Sequence, residues 1–221
     1  MNKKRKGKLI VIDGTDGSGK ATQTKLLVKR LKENGIRVRT LDFPQYASNF
    51  FGKLLDECLH GKQKGFSTLD PHITSVLYAA DRFESKEKIE QWIEQGMVVV
   101  LDRYVSANQI HQGGKIASIK KRREFLQWLD TMEYEIFDIP RPDVVVYLSV
   151  PVGFSLRLLN AEGKETDTVE SDRTYLENSA KAAEWLCHQN KWSKILCVRN
   201  GVLRSIEEIH EEVFNTLEAY L

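Results

Sequence analysis

Five short segments rich in Val, Ile and Leu stand out against a chain whose apolar residues otherwise recur every three or four positions. They are Leu9-Ile10-Val11-Ile12, Arg37-Val38-Arg39-Thr40-Leu41, Met97-Val98-Val99-Val100-Leu101, Val144-Val145-Val146-Tyr147-Leu148 and Ile195-Leu196-Cys197-Val198. Runs of this length and β-branched content predict strands, three of them apolar enough to be buried on both faces. The intervening stretches read as helices. Leu26, Leu27, Val28 and Leu31 oppose Lys25, Lys29, Arg30 and Lys32, and similar spacing covers 50–59, 71–83, a helix around Ile89, Trp92 and Ile93, then 125–129, 152–159, 175–186 and 206–217. The punctuation agrees: Asn34-Gly35, Pro44, His60-Gly61, Gly96 and Pro140-Arg141-Pro142 close or separate elements, and Asp70-Pro71 opens one. Gly113-Gly114 is expected to break the segment after the third strand, and the polar stretch 160–168 to form part of a lid at about 157–173. Strands alternating with helices predict an α/β fold, a five-stranded parallel sheet with helices on both faces, in one domain over 1–221.

The turn after the first strand carries the clearest chemistry. Gly14-Thr15-Asp16-Gly17-Ser18-Gly19-Lys20 lies between an apolar strand and an amphipathic helix, the context a phosphate-binding P-loop requires. Glycines let the backbone curl until several N–H groups face one hollow. The helix N-terminus adds positive potential, and Lys20 can reach the outer phosphates. Gly-x-x-x-x-Gly-Lys alone arises by chance about 0.06 times in a chain this long, and the strand–helix context lowers that further. The fold expected is therefore a P-loop NTP hydrolase-type sandwich. One position departs from the motif: the residue after the lysine, normally a Ser or Thr that binds Mg²⁺, is Ala21, with Thr22 one place further on.

Length and composition narrow the class. The 221 residues suffice for one well-cored domain, and a net charge of +2 with 29% charged residues describes neither a polyelectrolyte nor a nucleic-acid binder. The apolar stretch after Lys3-Lys4-Arg5-Lys6 is too short for a removed signal, and no run reaches membrane-spanning length. Cys58, Cys187 and Cys197 have no metal-type spacing and read as reduced packing residues of a cytoplasmic protein. No guanine-reading Asn-Lys-x-Asp is present, which disfavours a GTPase switch, and the chain is short for a motor. A small-molecule kinase fits better. If the acceptor is itself a phosphate, no general base is needed; the site needs cations that hold two polyanions in line, and a metal. Lys20, Arg82 and Arg103 supply candidates, and Asp102-Arg103-Tyr104 stands at the carboxyl end of the third strand, where α/β sheets bind ligands.

These motifs together resemble the thymidylate kinases, nearly end to end. The residues that carry the likeness are the P-loop from Asp13 to Gln23 with its internal Asp16, Phe43-Pro44-Gln45-Tyr46, Tyr78-Ala79-Ala80-Asp81-Arg82, Asp102-Arg103-Tyr104, Ser106-Ala107-Asn108-Gln109 and Gln112-Gly113-Gly114. The resemblance implies ATP and Mg²⁺ as cofactors, dTMP as the substrate and a homodimer. ATP would lie on Asp16, Gly17, Ser18, Gly19, Lys20, Ala21 and Thr22, with Arg157 from the lid side. Tyr78 would stack on thymine, Arg82 would bond its carbonyl, and Asn108, with Gln109 beside it, would meet the base edge. Asp16 would take the sugar 3′-hydroxyl, Arg103 would bridge donor and acceptor phosphates, and Phe43 and Tyr46 would line the acceptor pocket. With Ala21 in place of a hydroxyl ligand, Asp16, Asp102 and Glu170 become the metal candidates. Gly17 after the loop aspartate implies a catalytic cation on the lid, Arg157 or Lys164. His111 falls where the family often has a tyrosine near the sugar 2′ position. The expected activity is phosphoryl transfer from ATP to dTMP. The alternatives are a kinase for another nucleotide or a deoxynucleoside, with Asp13 as its base, and a non-catalytic nucleotide-binding protein.

Overall fold

A hydrophobic strand is worth most when both its faces are covered, and the centre of this molecule is built that way. A computed structural model describes residues 7–60, 65–162 and 173–221. Its elements run β1 (Lys8–Gly14), α1 (Lys20–Glu33), β2 (Val38–Asp42), α2 (Phe50–Leu59), α3 (Pro71–Glu84), α4 (Lys86–Glu94), β3 (Val98–Asp102), α5 (Val105–Gly114) and α6 (Ile119–Asp130). Then come β4 (Val144–Ser149), α7 (Val152–Glu162), α8 (Arg173–Asn190), β5 (Ser193–Leu196), a ribbon of β6 (Val198–Arg199) and β7 (Val202–Leu203), and α9 (Ile206–Leu217). The five main strands pair in parallel in the order β2-β3-β1-β4-β5. With β1 central, the chain builds β2 and β3 on one side of it and then crosses to β4 and β5 on the other. That reversal is the switch point at which α/β sheets hold ligands.

Strand alternation divides the core in two. Ile10, Ile12, Val100, Val146 and Leu148 face α1 and α9 through Leu27, Leu31, Val213 and Phe214. Leu9, Val11, Val99, Leu101 and Val145 face the opposite layer, where Ile89, Ile93, Phe125 and Leu129 project from α4 and α6. Each such fully buried side chain contributes about 1.5–3 kcal/mol relative to exposure. Helix starts follow local chemistry. The Asp70 carboxylate accepts from His72 N–H ahead of Pro71, and Ser205 and Glu208 close a reciprocal capping box at α9.

The structure corrects the expected elements in three places. Gly113-Gly114 does not break a segment but ends α5, which packs along α8; a Cβ on Gly114 would stand 3.2 Å from the Cα and N of Ser179. The glycine is there for close helix approach. The fifth strand stops at Leu196, and Val198 pairs instead with Leu203 in the β6–β7 ribbon. After Leu129 the chain continues through α6 into a π-helical turn, Thr131–Ile136, rather than leaving helix. Of the expected lid, residues 157–162 are the end of α7 and 173 begins α8; 163–172 lie outside the described residues.

Candidate active site

The P-loop follows directly from β1. Gly17 and Gly19 have φ of 72° and 82°, values an L side chain rarely adopts, and a Cβ on Gly17 would meet Ser155 O at 2.6 Å. The Lys20 ammonium folds back over the loop, donating to Thr15 O at 3.0 Å and lying 3.7 Å from Asp16 Oδ1. The same Asp16 oxygen accepts from Arg103 Nη2. Arg103 follows β3 with φ of 66°, a conformation that costs a non-glycine residue about 1–3 kcal/mol and is found mainly at functional sites. Its neighbours enforce it: Arg103 N–H donates to Ile12 O at 3.0 Å, and the adjacent Tyr104 is buried with its hydroxyl on Pro140 O.

A third group completes this cluster. Arg103 Nη1 lies 3.1 Å from His111 Nε2, and a guanidinium can only donate, so Nε2 is the bare nitrogen and Nδ1 carries the proton. The His111 ring stacks on Tyr175 with centroids 5.7 Å apart. Burial first, then the positive Arg103 and Lys20, lowers its pKa to about 3. Burial alone would raise the Asp16 carboxyl, yet Arg103 and Lys20 hold it well below the usual carboxylate range. Lys20 is pushed down by burial and by Arg103 against the pull of Asp16 and Asp102. An incoming polyanion would relieve that repulsion.

These groups open onto a cleft of about 690 Å³. Asp16, Gly17, Gly19, Lys20, Ala21 and Thr22 line it from the P-loop, Phe43 and Tyr46 from the segment after β2, and Tyr78 and Arg82 from α3. From α5 come Asn108, His111 and Gln112, with Lys115 just past its end, a stripe of three- and four-residue spacing on one face. Arg82 is held in a buried fork by Glu133, through Nε and Nη2 at 2.6 Å each, and Asn108 Nδ2 donates to Ser75 O at 3.1 Å and to Glu133 at 3.2 Å. Asp42 and Asp102 stand opposite each other at the ends of β2 and β3, and both line the cleft. Burial raises the Asp102 pKa, with Lys20 and Arg103 opposing. Among the described residues no three ligand-type side chains cluster as a metal cage. Two strand-end carboxylates beside a phosphate cradle are what a hard cation held mainly by phosphate and water requires.

Several expected positions fall elsewhere. Gln109 points away from the stripe and lines a separate hollow with Tyr134 and Arg141. Arg157 lies along α7, its Nε donating to Gly153 O at 3.1 Å and its guanidinium over Phe154, and it does not line the cleft. Ser18 is buried beneath the loop rather than facing the cleft. Glu170 and Lys164 lie outside the described residues. Asp13, the base required of a deoxynucleoside kinase, is fully buried, accepts from Gly14 N–H and the Ser106 hydroxyl, and is absent from the cleft wall. Sequence reading missed Glu133, Asp42, Thr74 and Tyr175. Only Glu133 left a trace: it continues the buried series Phe125, Leu129 at four-residue spacing, a carboxylate where a leucine is expected.

The comparisons with known proteins agree with this geometry. A family model described as thymidylate kinase matches residues 12–213. The chain is 32% identical over 211 residues to the thymidylate kinase of Homo sapiens, covering 95% of this chain and 89% of that one. It is 33% identical over 220 residues to the probable thymidylate kinase of Thermococcus gammatolerans, covering 96% of each. The fold superimposes on the solved structure of thymidylate kinase from Candida albicans with a TM-score of 0.77 at 21% identity, over 99% of this chain and 94% of that one. A match of this extent, over a P-loop, an Asp-Arg-Tyr strand end and a base-sized cleft in one molecule, places the chain in the thymidylate kinase family.

Proposed function

We propose that the protein transfers the γ-phosphoryl group of ATP to dTMP, giving dTDP and ADP, with the residues of the cleft in the roles that follow. The acceptor oxygen belongs to a phosphate and is already anionic, so the reaction asks for position and positive charge rather than a base. Lys20 and the P-loop N–H groups hold the donor phosphates. Arg103, fixed between Asp16 and His111, reaches both polyanions. Asp16 keeps its second oxygen for the sugar 3′-hydroxyl while its first holds the two cations together. Tyr78 stacks on the base, Phe43 and Tyr46 close the acceptor pocket, and Arg82 and Asn108 read the base edge. The observation that carries this reading is the single cleft that joins Lys20 and Arg103 to Tyr78, Arg82 and Asn108.

Mg²⁺ fits the oxygen donors present: Asp102, with Asp42 beside it, would hold the ion through water, and the ion when bound neutralises charge on the donor phosphates. A cation from the lid, Lys164 rather than Arg157, which lies on Gly153 O and Phe154, would complete the donor side. The protein would act as a homodimer through the exposed face of α3, where Ile73, Val76 and Phe83 are 56%, 40% and 48% accessible. No described helix is long and apolar enough to cross a membrane, and three free cysteines suit a reducing cytoplasm.

The test is ADP release with ATP and Mg²⁺, offering dTMP, dUMP, UMP, dCMP and thymidine in parallel. Turnover is expected to be strongest with dTMP and negligible with thymidine, since Asp13, the base expected for its hydroxyl, is buried and does not line the cleft. Preferred turnover of thymidine would make the protein a nucleoside kinase. ATP binding without turnover of any acceptor would make it a binding protein.

A further inference from the structure

We propose that Glu133 sets the base choice of the cleft: by fixing the Asn108 amide and the Arg82 guanidinium, it makes the wall present one acceptor and one donor, the complement of a 4-keto pyrimidine and the mismatch of a 4-amino one. This rests on the reading of the cleft as the acceptor-nucleotide site.

The argument begins with a misplaced charge. Glu133 has no accessible surface and continues the inward face of Phe125 and Leu129, within a π-helical turn. Such turns are rare in helices and concentrate at functional sites. A buried ion pair is typically no more stabilising than a well-packed apolar pair of equal volume, so stability alone is a weak reason to keep a carboxylate there. What it does is orient two other side chains. Asn108 Nδ2 donates to Ser75 O and to Glu133 Oε1, both of which can only accept. The amide therefore has one orientation, and Oδ1, an acceptor, is the atom left for a ligand. Arg82 spends Nε and Nη2 on the carboxylate, which leaves the Nη1 donors. Both residues line the cleft.

A 4-keto pyrimidine offers O4 to a donor and N3–H to an acceptor, and this pair satisfies both. A 4-amino pyrimidine offers an amino donor and a bare N3, and it is opposed at both. With a carboxylate at 133 the Asn108 amide cannot reverse without setting its oxygen against another oxygen. An amide at 133 removes one of the two acceptors that hold Asn108 and leaves Ser75 O alone: its nitrogen can donate to a reversed Asn108, while Arg82 loses half its fork.

The experiment compares dTMP with 5-methyl-dCMP, which differs from it only in the groups at C4 and N3. Their kcat/KM values are measured for the unmodified protein, E133Q and E133D. Glu133→Gln is expected to lower the dTMP to 5-methyl-dCMP ratio at least tenfold, chiefly through acceptor KM, with the KM for ATP unchanged. Glu133→Asp keeps the charge and is expected to fall between. It also carries the test alone if E133Q does not fold. A ratio that stays constant while both acceptors weaken together would overturn the proposal and leave Glu133 a purely structural residue. Failure of the underlying reading shows separately, as an unmodified protein that does not prefer dTMP.

Discussion

His111 offers a quantity that can be worked from the structure and measured without substrate. It is buried, its Nε2 accepts from Arg103, and the charged groups facing it are Arg103, Lys20, Lys115 and Asp16. Three of these four are cations, and burial lowers the pKa further, from the ordinary 6.5 to about 3. A pKa depressed on folding means that between those two values the unfolded chain binds a proton the native protein refuses. Stability from this group is therefore present in full above the unfolded value and is lost as pH falls, by about 1.4 kcal/mol per pH unit. Between pH 7 and pH 4 the loss comes to about 3 kcal/mol. His111→Gln supplies an acceptor for Arg103 but cannot take the proton. Urea unfolding at half-unit steps from pH 7 to pH 4 should therefore give a steeper decline for the unmodified protein than for H111Q, with the two curves separating below pH 6.5. Asp13, Asp16 and Asp102 titrate in both proteins, so the difference isolates the imidazole. Parallel curves would refute the reasoning, since they would mean that His111 is protonated as readily in the native protein as in the unfolded chain.

Three further outcomes are expected. Gly52→Ala places a Cβ well inside contact distance of Gln45 O, against the segment that presents Tyr46, and should lower stability by about 1–3 kcal/mol in thermal unfolding and raise the KM for dTMP more than that for ATP. Ala21→Ser restores a hydroxyl after the P-loop lysine and should lower the Mg²⁺ concentration that gives half-maximal rate, read from a metal titration at fixed ATP. Glu133→Leu strands the Arg82 charge and should cost about 3–5 kcal/mol, whereas adding Arg82→Met should recover most of that stability without recovering turnover of dTMP, as denaturant unfolding and ADP release would show.

The fold was legible where burial follows a simple period. The apolar runs of β1, β3 and β4 and the amphipathic spacing of α1, α2 and α9 match the structure to within a residue or two. Reading failed at α5, and for a physical reason: Ser106, Asn108, Gln109, His111 and Gln112 are all buried, so the helix has no polar face for a pattern to reveal, and its closing glycines look like a break. The fifth strand ran long in the reading because Cys197 and Val198 are as apolar as β5 itself, and nothing local says that Val198 pairs with Leu203.

Site legibility divides along the same line. Lys20, Asp16 and Arg103 declare themselves because backbone geometry fixes where a P-loop and a strand end must lie. Glu133 does not, because it acts through a partner: Arg82 is 51 residues from Glu133. His111 is placed only by the family resemblance, and its bond to Arg103 is a contact across the fold. Those indirect contacts are what keep the site organised without a ligand. Lys20 and Arg103 are like charges converging on one hollow, and left to themselves they would repel. Asp16 bonds both, the neutral His111 accepts from Arg103 without adding charge, and strain at Arg103 is held by β1 and Tyr104. Lys20 and Arg103 thus converge on the one carboxylate, Asp16, that both contact. A prearranged hollow with two converging cations loses little freedom when phosphates enter, and the repulsion between Lys20 and Arg103 is relieved rather than created by them. Replacing Asp16 should therefore damage the site before any substrate arrives, because the carboxylate that holds the cations together is the one that faces the ligand.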